Sequence, residues 1–340
     1  MLLHELVQFV FFLAKATVLV AAILMTIAGI VAIAVKGKTK ESTKIKVKSL
    51  NEHYRELAEQ LQTEILSKEA IKQLKKKKKD KKKTKSLPHS KPNTFILNFN
   101  GDLRATQVQA LREEITAILM IAKPQDTVLV KVESAGGVVY GYGLAASELK
   151  RIKDRSISLI ISVDKIAASG GYMMACVADR IIAAPFAVIG SIGVVAQLPN
   201  FHRLLQKHEI DFEQVTAGQY KRTLTLFGKN TEQDRQKVQE EVNEAHALFK
   251  EFIKQNRPQV DMDQVATGEH WFATRAIQFN LIDELMTSDE YLAKQSETTQ
   301  LYEICLQKRK KLLDKLSDKT ASIAKTTLLK LQEETHRDLY

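Results

Sequence analysis

Apolar positions recur along this chain with two different periods, in alternation. Residues 94–99 (TFILNF), 127–132 (TVLVKV) and 157–163 (ISLIISV) are short β-branched runs, which suit strands buried on both faces of a parallel sheet. Between them, residues 105–121 and 142–153 place apolar side chains at helical spacing. Strands alternating with helices predict an α/β fold whose right-handed crossovers build a mostly parallel sheet. Residues 181–184 and 188–198 read as further buried strands, because Pro185 and Ser191 interrupt a run too short for the ~20 residues of a membrane span. Residues 200–208 read as a helix and 212–216 as a strand. Thr231 opens a long helix to about Asn256, with Asp234 at a capping-box-like spacing. Its stripe of Val238, Val242, Ala245, Leu248, Phe249, Phe252 and Ile253 reads as core. A helical pair around Trp271 is expected over residues 263–283, and one or two peripheral helices in the charge-rich 291–340.

The N-terminus follows neither period. Residues 6–35 are apolar apart from Gln8, Lys15 and two threonines, enough to cross a bilayer as an uncleaved anchor. Six lysines follow directly in residues 36–48, whereas no Lys or Arg precedes Leu6. By the positive-inside rule the bulk of the chain would be cytoplasmic. Residues 51–74 suggest a short amphipathic helix running into KKKKKDKKKTK at 75–85, a solvated tether compatible with anionic headgroups.

Charge confirms this partition. The chain of 340 residues has a net charge of +11, but residues 36–91 alone hold 19 Lys and Arg against 7 Asp and Glu. The remainder is near neutral, so the basicity marks a juxtamembrane segment and not a nucleic-acid-binding surface. Cys176 and Cys305 provide neither a disulfide framework nor a metal spacing, and both read as core fillers.

The candidate chemistry centres on residues 157–180, ISLIISVDKIAASGGYMMACVADR, where Ser169 stands between a strand and a helix-like run. A helix starting there would offer unpaired N–H groups and the positive end of its dipole to an adjacent anion. A serine in this place is more often an N-cap than a nucleophile. Two other segments bear on the choice. Glu133-Ser134-Ala135-Gly136-Gly137 ends a predicted strand with a loop able to turn backbone N–H groups inward, and Gly218-Gln219-Tyr220-Lys221-Arg222 places a lysine after another. Ligands bind where strand ends gather on one side of a parallel sheet.

Several long segments in order carry a resemblance: ESAGGVVYGYGLAAS, DKIAASGGYMMACVADRIIA, IGSIGVV, GQYKRTLTLFGKNT and ATGEHWFATRAIQFNLIDE. Over essentially its whole length the chain resembles the SohB branch of the signal peptide peptidase A family. These are membrane serine proteases with a Ser/Lys dyad on a Clp protease/crotonase-like fold of repeated β-β-α units. The resemblance implies Ser169 as nucleophile, Lys221 as general base, Gly137 and Gly170 as oxyanion donors, and Ser191 as the group orienting the lysine amine. A serine hydroxyl needs a base to take its proton, and a lysine serves only when neutral, hence desolvated. One departure is Ala135, where the family commonly has Pro. No metal or cofactor is implied. The partners implied are a polypeptide substrate, the lipid bilayer and further copies of the chain.

The expected organisation is an anchor at 1–35, a basic helix and Lys-rich linker at 36–91, a protease domain at 92–288 and a charged helical extension at 289–340. The function that follows is hydrolysis of membrane-associated or unfolded polypeptides, signal peptides among them, through an acyl-enzyme. Its rivals are a crotonase-like acyl-CoA enzyme, which would need carboxylates at the site, and a catalytically silent membrane scaffold. A Ser/His/Asp triad would have to recruit His202, His208, His246 or His270, the first three of which read as surface residues. The resemblance implies the bacterial inner membrane and a periplasmic catalytic domain, whereas the charge rule favours the cytoplasm, so the side stays open.

Overall fold

The computed structural model describes residue 15 and residues 17–26, 44–67, 91–218 and 220–307. They fall into two compact units, one of Met1–Lys44 with Gln307–Tyr340 and one of Ile45–Leu306. In the first, residues 17–26 are helical, and no helix among the described residues is long and apolar enough to cross a membrane. The expected anchor lies largely, and the tether at 75–85 wholly, outside the described residues.

The second unit is a mixed α/β sheet structure. Strand β1 (Lys44–Ser49) leads into helix α1 (Leu50–Ile65), and then β2 (Asn93–Gly101), α2 (Val108–Leu119), β3 (Thr127–Ser134), α3 (Val139–Lys153) and β4 (Ser158–Val163) follow the expected alternation. Next come β5 (Ile166–Ala168), α4 (Gly170–Ala175), β6 (Arg180–Ala183), β7 (Val188–Gly190) and α5 (His202–Lys207). The chain closes with α6 (Glu232–Asn256), α7 (Met262–Val265), β8 (His270–Phe272), α8 (Ala273–Ala276), β9 (Glu284–Leu285), α9 (Ser288–Gln295) and β10 (Gln300–Gln307).

The main sheet runs β1-β10-β2-β3-β4-β6-β9, with parallel pairing from β10 through β9. A branch leaves the end of β3, where Ser134 pairs with Ala167 of β5; β7 joins β5 in parallel and β8 joins β7 antiparallel. Both faces of the main sheet are covered, which explains the near-continuous apolar strands. In register, Ile96, Leu129 and Ile160 point to one face with Ile182 and Leu301, covered by Leu50 of α1 and Leu292 of α9. Their neighbours Leu97, Val130 and Ile161 point to the other face, against Leu111, Ile115 and Leu149 of α2 and α3. Each such side chain contributes ~1.5–3 kcal/mol by leaving water, and Leu129→Ala would cost ~2–5 kcal/mol.

Several elements differ from expectation. Residues 300–307 form a strand inside the sheet, between β1 and β2, and are not part of a helical extension. The short helix expected over 51–74 forms at Leu50–Ile65, but it follows an unexpected strand, β1, and is tied to the sheet: Asn51 Nδ2 donates to the carbonyls of Ser296 and Thr299, and its Oδ1 accepts the Leu301 N–H at 2.6 Å. The helical pair expected around Trp271 forms as two four-residue helices, but Trp271 itself lies in the strand β8 between them. No strand forms at 212–216, where Val215 is 98% exposed. Cys176 is buried, and burial pushes its thiol up to about 12; Cys305 is exposed.

Candidate active site

Ser169 sits with nothing between β5 and α4, and the chain reverses there at a cost. Its φ of 51° and ψ of −118° fall outside the regions that L-residues favour, a strain of ~1–3 kcal/mol that the surroundings must hold. They hold it from both sides: Ser169 N–H donates to the Gly190 carbonyl at 2.7 Å, and the Met173 N–H donates to the Ser169 carbonyl at 2.9 Å. The side chain caps nothing, so the N-cap reading of this serine fails. Ser169 is half-buried, and its Oγ has no hydrogen-bond partner among the described residues.

The glycine loop after β3 packs directly on this corner. Gly136 has φ +93°, and a Cβ there would stand 2.7 Å from both the Gly170 nitrogen and the Ser169 Cβ, so only glycine allows the approach. The N–H groups of Gly137 and Gly170 find no acceptor among the described residues. Both glycines line one cavity of about 90 Å³ with Ser169. A hydroxyl beside two unspent donors is the arrangement that stabilises a tetrahedral oxyanion. The helix expected after Ser169 forms but is only six residues, so these two amides, not a helix-length dipole, are what the corner offers.

The remaining residues divide. Ser191 is half-buried, directly follows the Gly190 that accepts the Ser169 N–H, and itself has φ 51° with its N–H donating to Glu269 at 2.6 Å. Lys221 is not brought to the cavity. It is exposed in an irregular segment, its backbone N–H closes a turn on Gly218, and its Nζ has no partner among the described residues. Lys165, near Ser169 in sequence, is 70% exposed but paired with Glu133 at 2.9 Å, bracing the loop's strand to the serine's. Asp164 holds the first residue of α9 by its N–H and hydroxyl, while Asp179 accepts the Leu159 N–H of β4 and pairs with Lys153 at the end of α3 at 3.2 Å.

No carboxylate or histidine lines the cavity among the described residues. His246, expected at the surface, is half-buried with its Nε2 enclosed and unpartnered. The far wall comes from Met173 of α4 and from Ala245 and Phe249 of α6, which the periodicity assigned to the core. Only the way α6 packs on α4 decides which part of its stripe meets the cavity. Tyr142 was also missed. It is fully buried, its hydroxyl donates to the Asp102 carbonyl at 2.8 Å and lies 2.5 Å from Ser134 Oγ, and burial raises its phenol.

Comparisons with known proteins bear on this geometry. The profile described as Peptidase family S49 N-terminal matches residues 4–149, and that described as Peptidase family S49 matches residues 151–302. A "Probable protease SohB" of Buchnera aphidicola subsp. Acyrthosiphon pisum is 54% identical over 245 residues, 72% of this chain and 73% of that protein. A "Probable protease SohB" of Haemophilus influenzae is 50% identical over 248 residues, 73% of this chain and 70% of the relative. Among solved structures, a membrane-bound stomatin-specific protease aligns with a TM-score of 0.40 and 14% identity, covering 61% of this chain and 85% of that one.

Proposed function

The chain belongs to peptidase family S49, and on that premise we propose that it is a membrane-anchored serine endopeptidase acting through a Ser/Lys dyad. The observation that carries this reading is the strained Ser169, with a free hydroxyl in a cavity shared with two unpaired amides. Ser169 Oγ attacks the scissile carbonyl, Lys221 takes its proton, and the Gly137 and Gly170 N–H groups receive the oxyanion. The lysine then returns the proton to the leaving amine, and water resolves the acyl-enzyme. The branch β5-β7-β8 beside the main sheet suits the Clp protease/crotonase-type arrangement. The acyl-CoA alternative lacks the carboxylates it needs.

Lys221 requires a further step, because an amine in water is charged and no base. The segment that bears it also exposes Val195, Phe201, Leu204, Phe212 and Val215, with Phe212 and Phe201 packed on Phe227. A second copy of the chain covering this apolar surface would desolvate the lysine and bring it to a serine. The active form is accordingly a homo-oligomer. The anchor is the apolar run at 6–35, placing the enzyme at the bacterial inner membrane, and extended apolar or unfolded polypeptides are the substrates that suit a cavity walled by Met173 and Phe249.

A fluorophosphonate probe and a peptide-cleavage assay on the full-length chain test the reading. The parent should be labelled at Ser169, while Ser169→Ala and Lys221→Ala should each lose cleavage; mixing the two variants should restore part of it. A parent that resists the probe and cleaves nothing, or a fully active Lys221→Ala, sinks the dyad.

A further inference from the structure

The fully buried Tyr142 ends a hydrogen-bond chain whose direction is fixed. The Asp102 carbonyl can only accept, so the single phenolic proton points there, at 2.8 Å. The 2.5 Å contact between Tyr142 and Ser134 must then be a donation from Ser134 Oγ to the phenol oxygen. Ser134 Oγ in turn accepts the Gly136 N–H at 3.0 Å. Gly136 therefore donates to Ser134, Ser134 to Tyr142 and Tyr142 to Asp102, with every hydroxyl satisfied and no second arrangement of protons available. The same side chain meets the other half of the corner, since a Cβ on Gly170 would overlap the Tyr142 ring. The ring is held edge-on by Phe99 at 6.3 Å. The loop is stitched once more where the Val138 N–H donates to the Leu103 carbonyl, one residue beyond Asp102.

We propose that Tyr142 is the positioning residue of the oxyanion donors, fixing the Gly136-Gly137 loop through Ser134 and seating Gly170 against its ring. The catalytic part of this inference rests on the serine peptidase reading. Donors stabilise the developing charge only if they are aimed before it forms, and misplacement by ~1 Å costs about a hundredfold in rate. Removing the phenol oxygen leaves Ser134 without an acceptor and the Asp102 carbonyl with only the Ala105 N–H at 3.0 Å, so the loop is free to relax away from the pose that serves the transition state. Substrate binding, made largely by the cavity walls, is affected much less.

The test uses the full-length chain with Tyr142→Phe, which keeps the ring, and Ser134→Ala, which removes the middle link. In Tyr142→Phe kcat should fall about 10- to 100-fold while KM stays within about twofold. Ser134→Ala should lose a similar factor, and the double variant no more than either alone, because both cut one chain. Amide hydrogen exchange supplies a readout independent of activity: residues 135–138 should exchange about tenfold faster in both variants, with β2 and β4 unchanged. Unaltered exchange in that loop overturns the proposal whatever the activity does, as does an active parent whose kcat survives Tyr142→Phe. A parallel rise in KM with faster exchange throughout the core also overturns it, marking a packing role. If the loop alone loosens but the parent neither cleaves nor takes a fluorophosphonate, the positioning stands and the peptidase reading falls.

Discussion

The backbone N–H of Ser169 donates to the carbonyl of Gly190 at 2.7 Å, so the strained corner at Ser169 is fastened to the last residue of β7 and, through it, to Ser191. Gly190 has φ +105°, and a Cβ there would approach the Trp271 ring to 2.9 Å. Gly190→Ala should therefore impose both backbone strain and a clash, costing ~2–3 kcal/mol, and should loosen the corner that holds Ser169. Thermal unfolding beside probe labelling of Ser169 checks this; a variant with parental Tm and labelling rate would show that the bond does not hold the site.

A second expectation concerns Arg257 and Asp283, which lock the end of α6 to the strand entering β9. Arg257 is 2% exposed and bonds both Asp283 oxygens and the Asn280 carbonyl. For Asp283, burial works to raise the carboxyl, but the Arg257 bonds and the Ile181 N–H outweigh it and hold it below the ordinary 3.8. A carboxyl that ionises more readily in the folded state contributes stability above its unfolded value, and this is lost as pH falls through the folded one. Asp283→Asn should cost about 2 kcal/mol at pH 7, less than the ~3–5 of a fully buried pair because the Asp283 side chain is 32% exposed. The gap between parent and variant should be constant at neutral pH and narrow only below about pH 4. A gap independent of pH down to acid unfolding would refute the assignment.

Glu114 behaves in the opposite sense. It is buried, it accepts the Leu306 N–H at 2.7 Å, and desolvation raises its carboxyl above the ordinary 4.5 despite that bond. A raised folded value means that stability is complete below the unfolded value and falls as pH rises through the folded one. Glu114→Gln keeps an acceptor for Leu306 and removes the charge. It should raise Tm at pH 7 and lose its advantage below about pH 4.5. A lower Tm at neutral pH would show that the charge strengthens the bond by more than burial costs.

What the sequence disclosed was local. The Ser169 corner and the glycine loop announce themselves because a strand end and small residues occupy adjacent positions, and Thr231 with Asp234 forms the expected reciprocal cap. Lys221 did not yield its position, because its segment is exposed and little in its own side chains fixes where it goes. The expected strand at 212–216 failed for the same reason, since β-branched residues without a pairing partner do not make a strand. β10 was read as helical tail because its burial beside β2 is set by Asn51 and by pairing across some 200 residues, which no local window contains. The helices flanking Trp271 formed as expected, but the strand between them did not announce itself, because three residues of β8 are too few to show a period.

Ser191 allows a clean separation of backbone from side chain. Its φ of 51° strains any residue with a Cβ, and Ser and Ala carry that strain alike, so Ser191→Ala leaves the turn's energy unchanged and removes only the hydroxyl. The Ser191 N–H bond to Glu269 is also kept. If that hydroxyl orients the Lys221 amine in the assembled enzyme, its loss forfeits about 1.4 kcal/mol of hydrogen bonding and kcat falls about tenfold. Tm should not move. A parental rate would remove Ser191 from the mechanism and leave it as the turn residue that follows β7.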